Sequence, residues 1–467
     1  MLAYIDHIIV VLITYTLGII LAVEVLYKGR TSQGKTAWIL SLLLMPIFTI
    51  PIYLIFGSRK FHGYVTAHKE GREPLDKLWQ RAHETMSPHK VVINELCLYE
   101  KISNSMFTKG NKIELIKTGK EKYEKLFKDI DAAKKSVFIE YYIIRNDKIG
   151  KKLKDSLIAK AKEGLEVTLI CDYLGSLSIK KKYMQELSSA GVKAYFFRTT
   201  KFGRRGQINF RNHRKLVIID DIIAYTGGMN IAEDYAKETW HDAHMRIMGP
   251  MVCELQFTYL LDYKWAKPKD QKLPEVDFSK NISYADGMEA LALASGPADD
   301  KETCLLYYLN LISGAKKSLD LVSPFFAPDV AIIAALISAQ LRGVKVRLII
   351  PLKSDNHFFV DLSAHEYARS LARKGIGVYL FNEGMIHKKL LIVDDNLVSL
   401  GTANLDNRSF RINFELSILI KSPAFTKEII SVFKDDLLKS KKITGYEDMP
   451  SWKKFLAKCS QLFAPLQ

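Results

Sequence analysis

The sequence predicts an α/β protein: two tandem α-β-α sandwich domains sharing one active site, preceded by a two-helix transmembrane hairpin. Three observations predict it. Two long apolar runs stand near the N-terminus, an internal repeat fills most of the remainder, and the 467 residues carry a net charge of +17. That length suits about three domains at roughly 150 residues each. With 48% hydrophobic and 25% charged residues, the composition is globular and excludes a long disordered region. The positive charge calls for an anionic partner, whether nucleic acid, an anionic membrane or an acidic substrate. Cys97, Cys171, Cys253, Cys304 and Cys459 are scattered, with no Cys-x-x-Cys pair. They form neither a disulfide framework nor a zinc site, and imply folding in a reducing compartment.

The hairpin is read from Ile8 to Tyr27, apolar apart from Thr14, Thr16 and Glu24, and from Thr36 to Phe56, which holds no charge. Each run has about the ~20 residues that cross ~30 Å of hydrocarbon. No basic residue precedes the first run and no small-residue cleavage site follows it, so a signal peptide is disfavoured. Pro46 and Pro51 should kink the second run or make it re-entrant. Lys28, Arg30 and Lys35 lie in the connecting loop, whereas Arg59, Lys60, Lys69, Arg72 and Lys77 follow the second run. The longer basic flank should stay inside, which places the hairpin in the cell membrane and the body in the cytoplasm. The expected organisation is a hairpin over 1–60, a basic connecting segment over 61–111, and domains over 112–290 and 291–467.

The repeat justifies the two domains. Ala133 to Ile139 (AKKSVFI) corresponds to Ala315 to Leu321 (AKKSLDL), and in both halves a helical stretch and an apolar strand follow. Apolar β-rich runs alternating with helical patterns imply a sheet covered on both faces. Further on, Asn212 to Asp220 (NHRKLVIID) matches Ile386 to Asp394 (IHKKLLIVD). Each leads through an expected hairpin to Gly227–Asn230 (GGMN) or Gly401–Asn404 (GTAN). His213 to His387 and Asn230 to Asn404 are both 174 residues apart, so the repeat is two tandem domains.

Side chains alternate along a strand, which puts His213 beside Lys215 and His387 beside Lys389. A histidine next to a fixed ammonium suits a phosphodiester: lysine neutralises phosphate oxygens while imidazole attacks or moves a proton. Asn230, Asn404 and Thr402 are candidates to bind the same oxygens. Each half supplies a single histidine, so two half-sites facing each other would provide both nucleophile and acid. Asp242 lies 29 residues after His213 and Glu415 lies 28 after His387, where a carboxylate could hold the imidazole Nδ1–H. Asp220 and Asp394 complete the motif as catalytic candidates, although their place at the strand end favours bracing a turn.

The duplicated pattern His-x-Lys-x4-Asp-x6-Gly-x-x-Asn resembles the phospholipase D superfamily over about residues 112–440. That resemblance implies a metal-free, cofactor-free reaction through a phosphohistidine, with His213 as nucleophile and His387 as general acid and base, or the reverse. The superfamily usually has Ser after the first Gly of the Gly-x-x-Asn element; here Gly228 and Thr402 stand there. Gly34–Leu40, Tyr225–Ile231, Trp240–Ile247 and Gly401–Glu415 are most similar to cardiolipin synthases. This family condenses two phosphatidylglycerol molecules into cardiolipin and glycerol, which implies anionic membrane lipid as partner and no nucleic acid. A nuclease of the same superfamily would leave the membrane runs unexplained. Another phospholipase D-type enzyme would differ only in the acceptor alcohol. A non-enzymatic scaffold would tolerate loss of motif residues, and none is lost.

Four features outside the motif complete the reading. His241, His244, His357 and His365 show no metal-ligand spacing and read as structural. Glu140 sits in an apolar strand, either facing the cleft or hydrogen-bonded. Trp452, Phe455, Leu456, Cys459, Leu462 and Phe463 share one helical face with lysines beside it. That face suits the membrane surface or the domain body.

Overall fold

The computed structural model describes residues 2–28, 32–57, 64–65, 72–92, 94–199, 209–354, 358–447 and 450–462. Arg30, Arg59, Lys60, Lys69, His357 and Phe463 lie outside the described residues. The chain divides into two units, residues 1–67 with 198–210, and residues 68–197 with 211–467.

In the first unit, helix Leu2–Lys28 contains a 22-residue span, Asp6–Tyr27, long and apolar enough to cross a membrane. The second apolar run is not one helix. It divides into Ser32–Leu44 and Pro46–Phe56 on either side of Met45, and each piece is too short to cross alone as a straight helix. Proline supplies the reason for the break: Pro46 disfavours helical backbone at the residue before it, and Met45 adopts φ −136° and ψ 56°. Pro51 is accommodated inside the second piece. The three helices pack through Leu21, Ala22, Val25, Leu42, Ile50 and Tyr53, with Trp38 edge-on to Tyr53.

The second unit is built on one sheet whose strand order is nearly palindromic across its centre. In the first half, Ser136–Tyr141, Glu166–Asp172 and Lys193–Phe197 run parallel. Ser318–Val322, Lys345–Pro351 and Gly377–Phe381 repeat that arrangement in the second. The halves join where Thr108–Ile116 pairs antiparallel with Met288–Ser295. The boundary expected at 290/291 therefore falls inside a strand, and the first half begins at Thr108 rather than 112. Each half keeps its own apolar core.

Segment 61–111 is not a linker over its described part. Helix Arg72–Met86 sets Trp79 against Phe257, and helix Cys97–Ser103 buries Tyr99 against Tyr307. Trp79 and Tyr99, large aromatic side chains in a basic stretch, were the missed sign of packed elements. The tail helix Ser451–Gln461 packs on helix Phe358–Ala372, with Lys458 bonded to Glu366, yet leaves Trp452 and Phe455 exposed.

The turns after the His-x-Lys strands are hairpins closed by paired aspartates in left-handed backbone. Asp220 and Asp221 have φ of 53° and 64°, and Asp394 and Asp395 have 52° and 53°. Two consecutive positive φ values give the turn that matches strand twist, and aspartate tolerates them better than most residues. The Asp220 carboxylate accepts the backbone N–H groups of Lys134, Lys135 and Ser136 at 2.7–2.9 Å. Asp394 does the same for Lys316, Lys317 and Ser318. Their place in the catalytic set is therefore corrected. These carboxylates tie each hairpin to its Ala-Lys-Lys-Ser lead-in, which is why lead-in and aspartate recur together.

Candidate active site

Each histidine stands just before its strand, not within it: Lys215–Ile219 and Leu390–Val393 begin after His213 and His387. What holds it there comes from the other half. Arg211–Asn212 pairs with Asn413–Phe414, and the His213 N–H donates to the Phe414 carbonyl at 3.0 Å. Met385–Ile386 pairs with Trp240–His241, and the His387 N–H donates to the His241 carbonyl at 2.7 Å.

The carboxylates cross in the same way. Glu415 accepts from His213 Nδ1 at 2.9 and 3.0 Å, and Asp242 accepts from His387 Nδ1 at 2.6 Å. Each acid thus serves the histidine of the opposite half, not the one whose motif precedes it. With Nδ1 engaged, Nε2 is the ring nitrogen left for chemistry, and at His387 the Lys389 ammonium lies 3.0 Å from it. Both rings face one cavity of about 460 Å³, also lined by Tyr142, Arg211, Asn230, Trp240, Asn404 and Arg408.

Burial, together with the nearby lysines and against the pull of the carboxylates, lowers both imidazoles to about 4, and the negative charge of a bound phosphodiester would raise them again. Burial also lowers Lys215 to about 7 and Lys389 to about 8. Burial alone would raise Asp242, but His387 and Lys389 outweigh it and keep the acid below its usual range. His213 and Lys215 do the same for Glu415. Neither lysine lines the cavity: Lys215 donates to the His213 carbonyl at 2.7 Å and Lys389 to the His387 carbonyl at 2.6 Å, and from there their charge would stabilise a phosphodiester beside the two rings.

The remaining candidates divide. Asn230 and Asn404 line the cavity, and the Asn404 Oδ1 is buried without a hydrogen-bond partner. Asn230 is anchored from both ends: its Oδ1 accepts the Ile143 N–H and its Nδ2 donates to Tyr235. Thr402 does not reach the cavity. Its hydroxyl donates to Glu415 at 2.5 Å, so its phosphate-binding role is corrected to one of holding that carboxylate. At the corresponding Gly228, a Cβ would lie 2.0 Å from Asp242 Oδ1; the missing side chain makes room for the acid itself.

Sequence reasoning missed Ser409 and Asn413, which also donate to Glu415, and Tyr142, whose ring lies edge-on to His213 at 4.9 Å. Ser409 and Asn413 have no counterpart in the first half, so a search by duplication passes over them. Glu140 is buried, accepts from Asn212 Nδ2 at 2.5 Å and does not line the cavity. His241 Nε2 bonds the Glu383 carbonyl, and His365 Nε2 the Pro351 carbonyl. His244 is fully buried behind the site.

The chain resembles known proteins over most of its length. The cardiolipin synthase, phospholipase D-like domain family matches residues 126–252 and 308–437, and the phospholipase D–nuclease N-terminal family matches 16–58. Cardiolipin synthase A of Pseudomonas putida is 34% identical over 92% of this chain and 91% of its own. The major cardiolipin synthase of Bacillus subtilis is 35% identical over 97% of this chain and 98% of its own. Among solved structures, phosphatidylserine synthase of Haemophilus influenzae superposes with a TM-score of 0.60 at 17% identity. It covers 79% of this chain and 97% of its own, which shows the shared fold. The histidines held across two halves, the repeat that carries them and these full-length relatives agree: the chain belongs to the cardiolipin synthase family of phospholipase D-like phosphatidyltransferases.

Proposed function

We propose that the protein transfers a phosphatidyl group from one phosphatidylglycerol to a second, giving cardiolipin and glycerol. The observation that carries the reading is the pair of crossed histidine–carboxylate contacts facing one cavity. His213 Nε2 attacks phosphorus while the bond to the departing glycerol oxygen breaks, and His387 gives that oxygen its proton. The second lipid's primary hydroxyl then attacks phosphorus, His387 takes its proton, and the phosphorus–nitrogen bond breaks to free His213. Lys215, Lys389, Asn230 and Asn404 hold the non-bridging oxygens.

The division of roles follows from the two carboxylates. Thr402, Ser409 and Asn413 spread the charge of Glu415 over several donors, which favours a neutral, nucleophilic His213. Asp242 accepts only from His387 and the Ala243 N–H among the described contacts, which concentrates its charge on the ring that must hold a proton. Both apolar runs enter the membrane, the body lies on the cytoplasmic side behind the longer basic flank, and anionic phosphatidylglycerol gathers beside a chain of net charge +17.

Full-length enzyme in vesicles containing phosphatidylglycerol as the single phospholipid should release cardiolipin and glycerol in equal amounts, with little phosphatidic acid. Dominant phosphatidic acid, or dependence on a soluble alcohol, would contradict the acceptor.

A further inference from the structure

We infer that two groups of exposed apolar side chains flanking the cavity, one from each half, form an apolar rim that seats in the interfacial layer of an anionic bilayer. Strands Glu166–Asp172 and Lys345–Pro351 occupy equivalent places in the two halves, each the parallel neighbour of its lead-in strand. The chain leaving the first exposes Tyr173 and Leu177, the latter by 63%. The chain leaving the second exposes Leu352 and, at the start of the next helix, Phe358 by 54% and Phe359 by 61%. An apolar side chain exposed singly needs no explanation, but apolar side chains at equivalent places on both sides of one cavity do.

Both groups are tied to the cavity wall. In the first half, the Ser176 hydroxyl donates to the Tyr142 carbonyl at 3.0 Å. A Cβ on Gly175 would lie 2.3 Å from that same oxygen, so the loop rests directly on the residue beside His213. In the second half, Val360 lines the cavity immediately after Phe359. Leu352 lines an adjoining cavity that shares Trp240 and Met385 with the central one.

The occupant follows from substrate chemistry and charge. A cavity of about 460 Å³ receives glycerophosphate head groups, while the acyl chains of two lipids must stay in hydrocarbon. The mouth therefore has to meet the interface, where aromatic rings reside favourably. Lys180, Lys181, Lys182 and Lys353 are exposed beside the same two loops, a charge that complements anionic head groups. The inference rests on the proposed function for the identity of the lipid, not for the existence of the rim.

The test uses full-length enzyme in vesicles of phosphatidylethanolamine and phosphatidylglycerol, the latter carrying a photoreactive group high on one acyl chain. Irradiation and peptide mapping should place lipid adducts on 173–177 and 358–360. The triple variant Leu177→Ser, Phe358→Ser, Phe359→Ser should lose these adducts, and its rate in vesicles should fall by about ten-fold or more. Because these side chains are exposed, its thermal unfolding should match that of the parent. Cardiolipin formed by the parent protein while those peptides stay unlabelled, or an unchanged rate in the variant, would overturn the rim and leave the function standing. Labelled loops without cardiolipin would keep the rim and refute the function.

Discussion

The two half-sites share a backbone plan and differ in how they hold their acids. Glu415 is a carboxylate surrounded by donors: the Thr402 and Ser409 hydroxyls, the Asn413 amide and both contacts to His213. Asp242 has the Ala243 N–H, His387 and a glycine where its counterpart has a threonine. Duplication thus built a symmetric frame, and substitution around two buried acids made its two imidazoles unequal. Glu415 lies within strand Asn413–Lys421, whereas Asp242 lies in the short gap between Trp240–His241 and His244–Met248.

The comparison breaks first at the histidines. His213→Ala and His387→Ala should each lower turnover by several orders of magnitude, and the double variant should be hardly worse, because residues acting as one unit are not additive. Independent, multiplying losses would mean two separate sites.

A smaller effect sharpens the difference between the acids. Gly228→Ala should cost about 10²–10³-fold in kcat, since the new Cβ would displace a buried carboxylate that orients an imidazole. Thr402→Val removes one of several donors and should cost about ten-fold or less. Equal losses would contradict the unequal support of the two acids.

The smallest effect is on pH. An ammonium whose pKa is depressed loses its charge as pH rises, so kcat/KM should decline as pH passes about 7 and fall more steeply past about 8. These steps follow Lys215 and then Lys389. A flat profile to pH 9 would show that the two lysines do not supply the phosphate's counter-charge.

Much of this was legible in the sequence, for reasons that are local. The alternation of apolar strands and helical stretches, repeated in the second half, gave the α/β halves, and the recurrence of His-x-Lys at an offset of 174 gave a shared site. The crossing was not legible. Glu415 follows His387 by 28 residues and Asp242 follows His213 by 29, so spacing alone suggests that each acid serves its own half. Which imidazole it meets depends on the short parallel pairings of Asn212 with Phe414 and Ile386 with His241, contacts between segments far apart in the chain. Thr402 was misplaced for a related reason: a hydroxyl in a phosphate-binding motif is read as a ligand, and only the packed site reveals that it faces an acid. Pro46 shows the opposite case: expected with Pro51 to kink the second apolar run or make it re-entrant, it stands at the break after Met45, whereas Pro51 is accommodated inside a helix.

The crossing is tested most directly by trapping the enzyme with phosphatidylglycerol labelled in its phosphatidyl group. Asp242→Asn weakens His387, which serves both steps, so label should form more slowly on His213 but persist there. Glu415→Gln weakens His213 itself and should leave little label at any time. The reverse pattern, with label lost in Asp242→Asn and enriched in Glu415→Gln, would contradict the account: label then found on His387 would reverse the histidine roles, and label still on His213 would refute the exchange of acids between the halves.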